Sequence, residues 1–175
     1  MRVLGIDPGS RITGWGVVEE GRRAPRYVGS GTIALDPATS LADRLARLQA
    51  ECRRLFSAWQ PTAVVVERAF LAHNVQSAFR LGEARGAVLA TVGGAGIRLH
   101  EYAPAAVKLA AVGYGRADKA SIARGVGARL GIAEVLPADA ADALALALCH
   151  LQHAPLRAAI VRAERRAARL AERAR

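Results

Sequence analysis

The chain has 175 residues, of which 52% are hydrophobic, so it is long enough to bury the core of one domain. Its 25 basic and 15 acidic residues give a net charge of +10, which indicates a polyanionic partner, nucleic acid before a membrane surface. No apolar run approaches the roughly 20 residues that span a bilayer. The two cysteines lack metal-ligand spacing and indicate small core residues in a reducing cytoplasm, which excludes disulfide scaffolds and zinc modules.

Three strands are predicted first along the chain, with hairpin-length turns between them, over 2–7, 11–20 and 26–35. Glycines within the second and third strands indicate close approach of another backbone at Gly14, Gly16, Gly29 and Gly31. A helix over 41–59 has Ser40 as its N-cap and ends before Pro61. The β-branched run TAVVVE, residues 62–67, is typical of a central strand buried on both faces.

The second half of the chain alternates helix and strand. A loop over 68–74 precedes a helix over 75–92 and a strand over 96–102, and three helical segments follow, over 104–112, 118–130 and 139–154. This order predicts an α/β fold with a five-stranded mixed sheet and helices on both faces, in which strands one, four and five are parallel. We expect one domain over 1–155 and an Arg-rich tail over 156–175, either a solvated helix or a disordered basic arm.

Four carboxylates fall at positions that folding alone does not explain. Asp7 ends the first strand and Glu67 ends the fourth, and the carboxyl ends of parallel strands meet at one edge of a sheet. In LPADAADALALALCHL, residues 136–151, Asp139 and Asp142 share one face of an otherwise apolar helix that has no Lys or Arg. The alternative for this pair is a favourable interaction with the N-terminal end of the helix dipole, which suits Asp139 better than Asp142.

Four ionised carboxylates close together require a counter-charge. Oxygen ligands favour Mg²⁺ or Mn²⁺, and two such ions about 3.5–4 Å apart activate water and stabilise the leaving oxygen in phosphodiester hydrolysis. In a basic protein, this predicts a nuclease with two Mg²⁺ or Mn²⁺ ions in each active site. Among the 25 basic residues only Lys108 and Lys119 are lysine. Their presence is due either to chance or to a need for a compact ammonium at these two positions. An ammonium near the scissile phosphate would stabilise the transition state.

Four segments, in order along nearly the whole chain, resemble the RuvC family of bacterial Holliday-junction resolvases: GIDPGSRITGWGVV, VVVERAFLAHNVQSAFRLGEARG, YAPAAVKLAAVGYGRADK and PADAADALALALCH. The resemblance implies an RNase H-like fold, a homodimer and family lysines at Lys108 and Lys119. It also implies a catalytic, metal-binding tetrad of Asp7, Glu67, Asp139 and Asp142. The implied activity is paired symmetric nicking of four-way DNA, leaving 5′-phosphate and 3′-hydroxyl ends, with the RuvA–RuvB branch-migration complex as a partner.

The loop over 68–74 holds four candidate DNA contacts. The resemblance assigns Phe70 to contact with junction bases, and its alternative role is to anchor the loop under the following helix. Arg68 lies beside it, and His73 is the histidine expected to approach DNA. Asn74 is expected to cap the helix, with any DNA contact secondary.

Several other polar residues have two interpretations each. Ser10 and Arg11 lie beside Asp7 and either contact a phosphate or close a turn. Glu83 and Arg85 are expected in a dimer face or at the surface. Surface or helix-end positions are expected for the remaining histidines, His100, His150 and His153.

Two other functions compete with a nuclease. The segment GIDPGS is similar to the opening of actin-like ATPases, but such ATPases contain two copies of the fold and 175 residues hold one. A junction-binding protein that does not cleave is the other alternative. A metal-dependent nicking assay distinguishes it from a nuclease.

Overall fold

A computed structural model describes residues 1–68, 75–113 and 118–154. Its centre is a five-stranded sheet with the strand order β3-β2-β1-β4-β5. The strands are β1 Arg2–Asp7, β2 Ile12–Glu19, β3 Arg26–Ala34, β4 Ala63–Glu67 and β5 Arg98–Tyr102. The first three strands pair antiparallel, whereas β4 is parallel to both β1 and β5. The mixed sheet predicted from the sequence is therefore confirmed.

Helices cover both faces of the sheet, as predicted. On one face lie α1 Leu41–Trp59 and α2 Val75–Gly94, and on the other lie α3 Pro104–Val112, α4 Lys119–Leu130 and α5 over 138–154. The valines of β4 alternate between the two cores, with Val64 and Val66 packed in the α1–α2 core and Val65 in the α3–α5 core. All three are fully buried, which agrees with a central strand.

Local caps set the ends of the elements. Ser40 accepts a hydrogen bond from the backbone N–H of Asp43 at 3.1 Å, so it is the N-cap of α1 as predicted. Strand β5 begins later than predicted because Gly96, with φ +66°, belongs to the turn that ends α2. In that turn the N–H of Ile97 donates to the carbonyl of Val92 at 3.3 Å.

Two glycines let α5 lie directly on β1 and β2. A Cβ atom on Gly5 would lie 1.9 Å from the carbonyl oxygen of Ala143. A Cβ atom on Gly14 would lie 1.9 Å from the carbonyl oxygen of Asp139. Any side chain at these positions would push the helix away, so the close approach predicted from Gly14 is confirmed. This contact brings the start of α5 to the edge of the sheet where β1 ends.

We find no helix in residues 1–68, 75–113 and 118–154 with the length and apolarity needed to cross a bilayer. The predicted domain boundary at 155 and the tail over 156–175 lie outside the described residues.

Candidate active site

The two strand acids lie side by side at one edge of the sheet. Strands β1 and β4 run parallel, with Ile6 paired to Val66, and Asp7 and Glu67 are the next residues of the two strands. On the other side of β1, Asp7 pairs with Gly14, the residue on which the backbone of Asp139 rests. The sheet register and one glycine thus bring strand acids and helix acids to the same place.

A cavity of about 560 Å³ opens at this edge. Its charged lining residues are three of the predicted acids, both lysines and one further acid, namely Asp7, Glu67, Asp142, Lys108, Lys119 and Asp118. Apolar side chains of the surrounding helices complete the wall, among them Leu81 of α2 and Leu146 of α5. Asp139 is not part of this lining, but its charge raises the pKa of Asp7.

Three acids of the cavity, Asp7, Glu67 and Asp142, resist ionisation. Burial, followed by the charges of Asp142, Glu67 and Asp139, raises the pKa of Asp7 from 3.8 to about 7. Burial is also the main cause that raises the pKa of Glu67 and of Asp142. The ammonium of Lys119 lies 3.5 Å from Oδ2 of Asp142 and opposes the rise there without cancelling it. Burial and the repulsion between the acids therefore outweigh the lysines in setting these pKa values.

The chemistry of the donor set fits a hard divalent cation. All of the acids offer carboxylate oxygens. The raised pKa of Asp7 reflects burial first and then the negative charge of neighbouring acids, which a bound cation would neutralise. Over the described ranges, no three His, Cys, Asp or Glu side chains are arranged as a formed metal site. The acids thus share one cavity edge without forming a closed ligand cage.

A family model for RuvC, crossover junction endodeoxyribonuclease, matches residues 3–150. The chain belongs to the RuvC family. The RuvC protein of Alkalilimnicola ehrlichii is 46% identical over 162 residues, which cover 93% of this chain and 98% of that protein. The RuvC protein of Myxococcus xanthus is 51% identical over 156 residues, which cover 87% and 81%.

Solved RuvC structures share the fold. Thermus thermophilus RuvC matches with a TM-score of 0.79 and 35% identity, covering 89% of this chain and 96% of that one. A complex of T. thermophilus RuvC with a Holliday junction substrate matches with a TM-score of 0.80 and 32% identity over the same shares. The yeast mitochondrial resolvase Ydc2, with a TM-score of 0.63 and 14% identity, covers 85% of this chain and 77% of its own and shares the fold alone. The predicted RNase H-like fold is confirmed.

Arg85 ties α2 to the active-site edge in this RuvC-family chain. The sequence pattern places Arg85 at the surface or in a dimer face, but its side chain is only 20% exposed and forms an ion pair with Glu101 of β5. Its Nε also donates to the backbone carbonyl of Glu67 at 3.4 Å. No local pattern reveals this contact, because its three residues lie on three separate elements.

Asp118 is the acid of the cavity that sequence analysis missed. Its side chain accepts the backbone N–H of Ser121 at 2.7 Å as the N-cap of α4, and this hydrogen bond lowers the pKa of Asp118. An acid directly before a helix is a recognisable N-cap signal. Its place in the RuvC-type cavity depends on how α4 packs, which the local pattern does not indicate.

The expectation of a surface position is wrong for His150. Only 3% of His150 is exposed, because its ring packs against His100 with ring centroids 4.3 Å apart. Nδ1 of His150 lies 3.0 Å from the hydroxyl of Tyr102, whose backbone carbonyl accepts the N–H of Arg68 at 2.8 Å. This cluster joins α5 to β5 next to the residue that follows Glu67.

The candidate DNA contacts fall in two groups. Arg68, directly after Glu67, and Arg11, directly before β2, are exposed, whereas Ser10 lines a separate small cleft with residues of α1 and α2. Phe70, His73 and Asn74 lie outside the described residues.

Proposed function

We infer that this chain is a crossover junction endodeoxyribonuclease, a metal-dependent enzyme that resolves four-way DNA junctions by paired symmetric nicks in recombination and repair. The observation that carries the inference is the gathering of Asp7, Glu67 and Asp142 with two lysines around one cavity, in a chain that belongs to the RuvC family. The complex of T. thermophilus RuvC with a Holliday junction substrate supports the same substrate for this chain.

The proposed metal ligands are Asp7, Glu67, Asp139 and Asp142, with two Mg²⁺ or Mn²⁺ ions in each site. Such ions, when bound, supply an activated water and neutralise charge on the leaving oxygen. The carboxylates would hold them at the carboxyl ends of β1 and β4 and the start of α5. A pKa of about 7 for Asp7 means that this group carries a proton in much of the cation-free population at neutral pH. Cation binding is therefore expected to release a proton.

The lysines are proposed to act on the phosphate. Lys119 begins α4 with its side chain 71% exposed, so its ammonium can reach a bound phosphate while remaining near Asp142. Lys108 lines the same cavity from α3. A positive charge that meets the phosphate oxygens as negative charge develops would stabilise the transition state more than the ground state. Hydrolysis would leave a 5′-phosphate and a 3′-hydroxyl.

A homodimer is proposed through the exposed face of α2. Phe79 is 69% exposed on this helix. A Cβ atom would meet open space at glycines placed three, seven and fourteen residues further on, Gly82, Gly86 and Gly93. These spacings place all four residues on one side of the helix. Two copies of such a flat face can approach closely around a twofold axis, which suits two opposed nicks in a nearly symmetric junction.

The substitution Gly86→Leu tests this interface. A Cβ atom at this position meets open space, and Leu improves helix propensity over Gly by about 1 kcal/mol, so the monomer should be at least as stable as before. Sedimentation should show a loss of dimers, and paired nicking should become single nicking. Gly94→Leu, at the last position of α2 and about 80° around the helix from Gly86, is the control. Dimers that persist in the Gly86 variant would place the interface elsewhere.

The remaining contacts and partners are also proposals. Arg68, Ser10 and Arg11 are proposed phosphate contacts, and Phe70, His73 and Asn74 are proposed DNA contacts of the loop over 68–74. The RuvA–RuvB branch-migration complex as a partner and a cytoplasmic location rest on the family relationship alone.

A direct assay compares a synthetic four-way junction with a linear duplex of matching sequence, each incubated with the protein in Mg²⁺, Mn²⁺, Ca²⁺ or EDTA. We expect symmetric nicks in the junction only, with Mg²⁺ or Mn²⁺, and products that a ligase seals. Junction binding without nicking under all four conditions would favour the non-cleaving alternative. ATP hydrolysis with no nicking would favour the actin-like alternative.

A further inference from the structure

A small cleft lies beside the turn that follows β1, on the α1–α2 side of the sheet. It is lined by Ser10 of the turn, Arg44 of α1 and Arg80 of α2. Apolar side chains form the rest of its wall, including Leu35 and Leu45. None of these residues lines the cavity of the carboxylates, which lies toward α3 and α4.

Arg44, one of the residues that line this cleft, carries an unsatisfied donor. Over residues 1–68, 75–113 and 118–154, its Nε is the one buried side-chain nitrogen or oxygen without a hydrogen-bond partner. Burying a charged donor among apolar side chains without an acceptor is unfavourable, and native proteins retain few such atoms. The donor therefore lacks an acceptor among the described residues, and an acceptor that binds in the cleft from outside them would satisfy it.

The dimensions of the cleft define that acceptor. Its volume is about 10 Å³, which is the room that one water-sized sphere occupies. A single oxygen atom fits, whereas a base or a nucleoside does not. Two guanidinium groups and a hydroxyl favour an anion with several oxygens, and guanidinium groups bind phosphate through paired N–H donors.

We propose that Arg44, Arg80 and Ser10 bind a backbone phosphate of the junction, with one phosphate oxygen in the cleft. This rests on the proposed function, because it assigns a second anchoring point to the same DNA. The lysines contact the substrate from the α3–α4 side of the sheet edge, and the two arginines contact it from the α1–α2 side. The DNA would then be held on both sides of the carboxylates.

The test measures junction affinity of Arg44→Met and Arg80→Met at several concentrations of monovalent salt in buffer without divalent cations. Each variant should bind about tenfold more weakly, and the slope of log affinity against log salt should fall by about one per bound site. Arg44→Met should melt no lower than wild type, because Met keeps the apolar stem and removes the unsatisfied donor. The control is Arg53→Met, which removes the same charge nine residues further along α1, on the opposite side of the helix.

Affinity and salt slope equal to wild type in both variants would overturn the proposal. So would a lowered melting temperature of Arg44→Met with normal affinity, since that result assigns Arg44 to packing. Stabilisation of wild type by inorganic phosphate, with junction affinity unchanged in the variants, would identify a free-anion site and also overturn it. If wild type itself neither binds nor nicks the junction, the proposed function fails instead.

Discussion

Strand β1 begins at a compensated charge cluster and ends at an uncompensated one. At its start, Nη2 of Arg2 donates to Glu19 at 3.0 Å, and Arg26 pairs with the same carboxylate. The hydrogen bonds from Arg26 and Arg2 lower the pKa of Glu19. At its end, Asp7 is buried beside other acids and its pKa rises to about 7.

The difference between the two ends lies in where the positive charge comes from. The chain supplies two arginines for Glu19, so that end is complete without a ligand. At the other end, Lys119 lies 3.5 Å from Asp142, and the acids remain undercompensated. A cluster that opposes its own ionisation reduces stability, and this is the usual compromise where a fold is prepared for a ligand.

The largest effect should come from removing one carboxylate at the uncompensated end. Asp142→Asn should slow single-turnover cleavage by at least about 1000-fold, or about 4 kcal/mol, because it removes a proposed ligand charge. Junction affinity should change little, since it comes mainly from Arg and Lys contacts with phosphates. Glu19→Gln, at the compensated end, should cut normally. Loss of binding in parallel with cutting by the folded Asp142 variant would contradict the proposed role.

The second effect concerns how α5 reaches the uncompensated end. Gly14→Ala places a methyl group against the backbone of Asp139, so the free energy of unfolding should fall by about 3 kcal/mol or more. Gly94→Ala, at a position where a Cβ meets open space, should change it by less than about 1 kcal/mol. Urea denaturation of both variants measures the difference. Equal stability would mean that the helix does not need to lie so close to the strand.

A third prediction gives the two ends opposite pH dependence. Because folding raises the pKa of Asp7 above its ordinary value of 3.8, the stability associated with its protonation is present below about pH 4 and is lost as the pH rises through 7. Asp7→Asn should therefore be more stable than wild type by about 1–3 kcal/mol at pH 8 without divalent cations, and equal to it near pH 4. Mg²⁺ should stabilise wild type more than this variant.

The folded-state pKa of Glu19 is lowered instead, so its contribution is present above the ordinary value of 4.5 and is lost as the pH falls. Glu19→Gln should be less stable than wild type at neutral pH. This difference in stability should disappear as the pH falls below the ordinary pKa of Glu19. Thermal melts of both variants from pH 3 to 9 test the two signs together. If both variants were more stable than wild type at pH 8, or both less stable, the comparison of the two ends would be contradicted.

The smallest effect should come from the lysine at the uncompensated end. Lys119→Ala should slow single-turnover cleavage by about tenfold while weakening junction binding less, because the ammonium acts on charge that develops in the transition state. Lys119→Arg should not restore the full rate, since a guanidinium differs in size and hydration. Arg26→Ala, at the compensated end, is the control. Full activity of the Arg variant would show that the scarcity of lysine in this chain has no functional meaning.

The order of the elements follows from periodicity and breakers, because those signals are local. The run of valines in β4 and the cap at Ser40 act within a few residues, so the sequence alone locates them. The neighbouring positions of Asp7 and Glu67 were predictable for another reason, since acids that end parallel strands meet at one edge. The start of β5 was placed too early because Gly96 completes the turn of the preceding helix.

Contacts between distant elements could not be predicted in this way. The bond from Arg85 to the carbonyl of Glu67 and the burial of His150 depend on how α2 and α5 pack on the sheet. Charge patterning assigns most arginines and histidines to solvent, so it fails where a polar side chain crosses between elements. The unsatisfied Nε of Arg44 is visible only once α1 and α2 form a common cleft with the turn at Ser10.

The docking of α5 on Gly5 and Gly14 also bears on when this chain can cut DNA. Asp7 belongs to β1, whereas Asp139 and Asp142 belong to α5, which is synthesised after all five strands and the other four helices described here. A nascent or truncated chain that lacks this helix contains only part of the carboxylate set. Because contacts between such distant parts of a chain form late in folding, cutting activity should appear only with the finished fold. The long separation in sequence between Asp7 and the acids of α5 would thus tie DNA cleavage to completion of the fold.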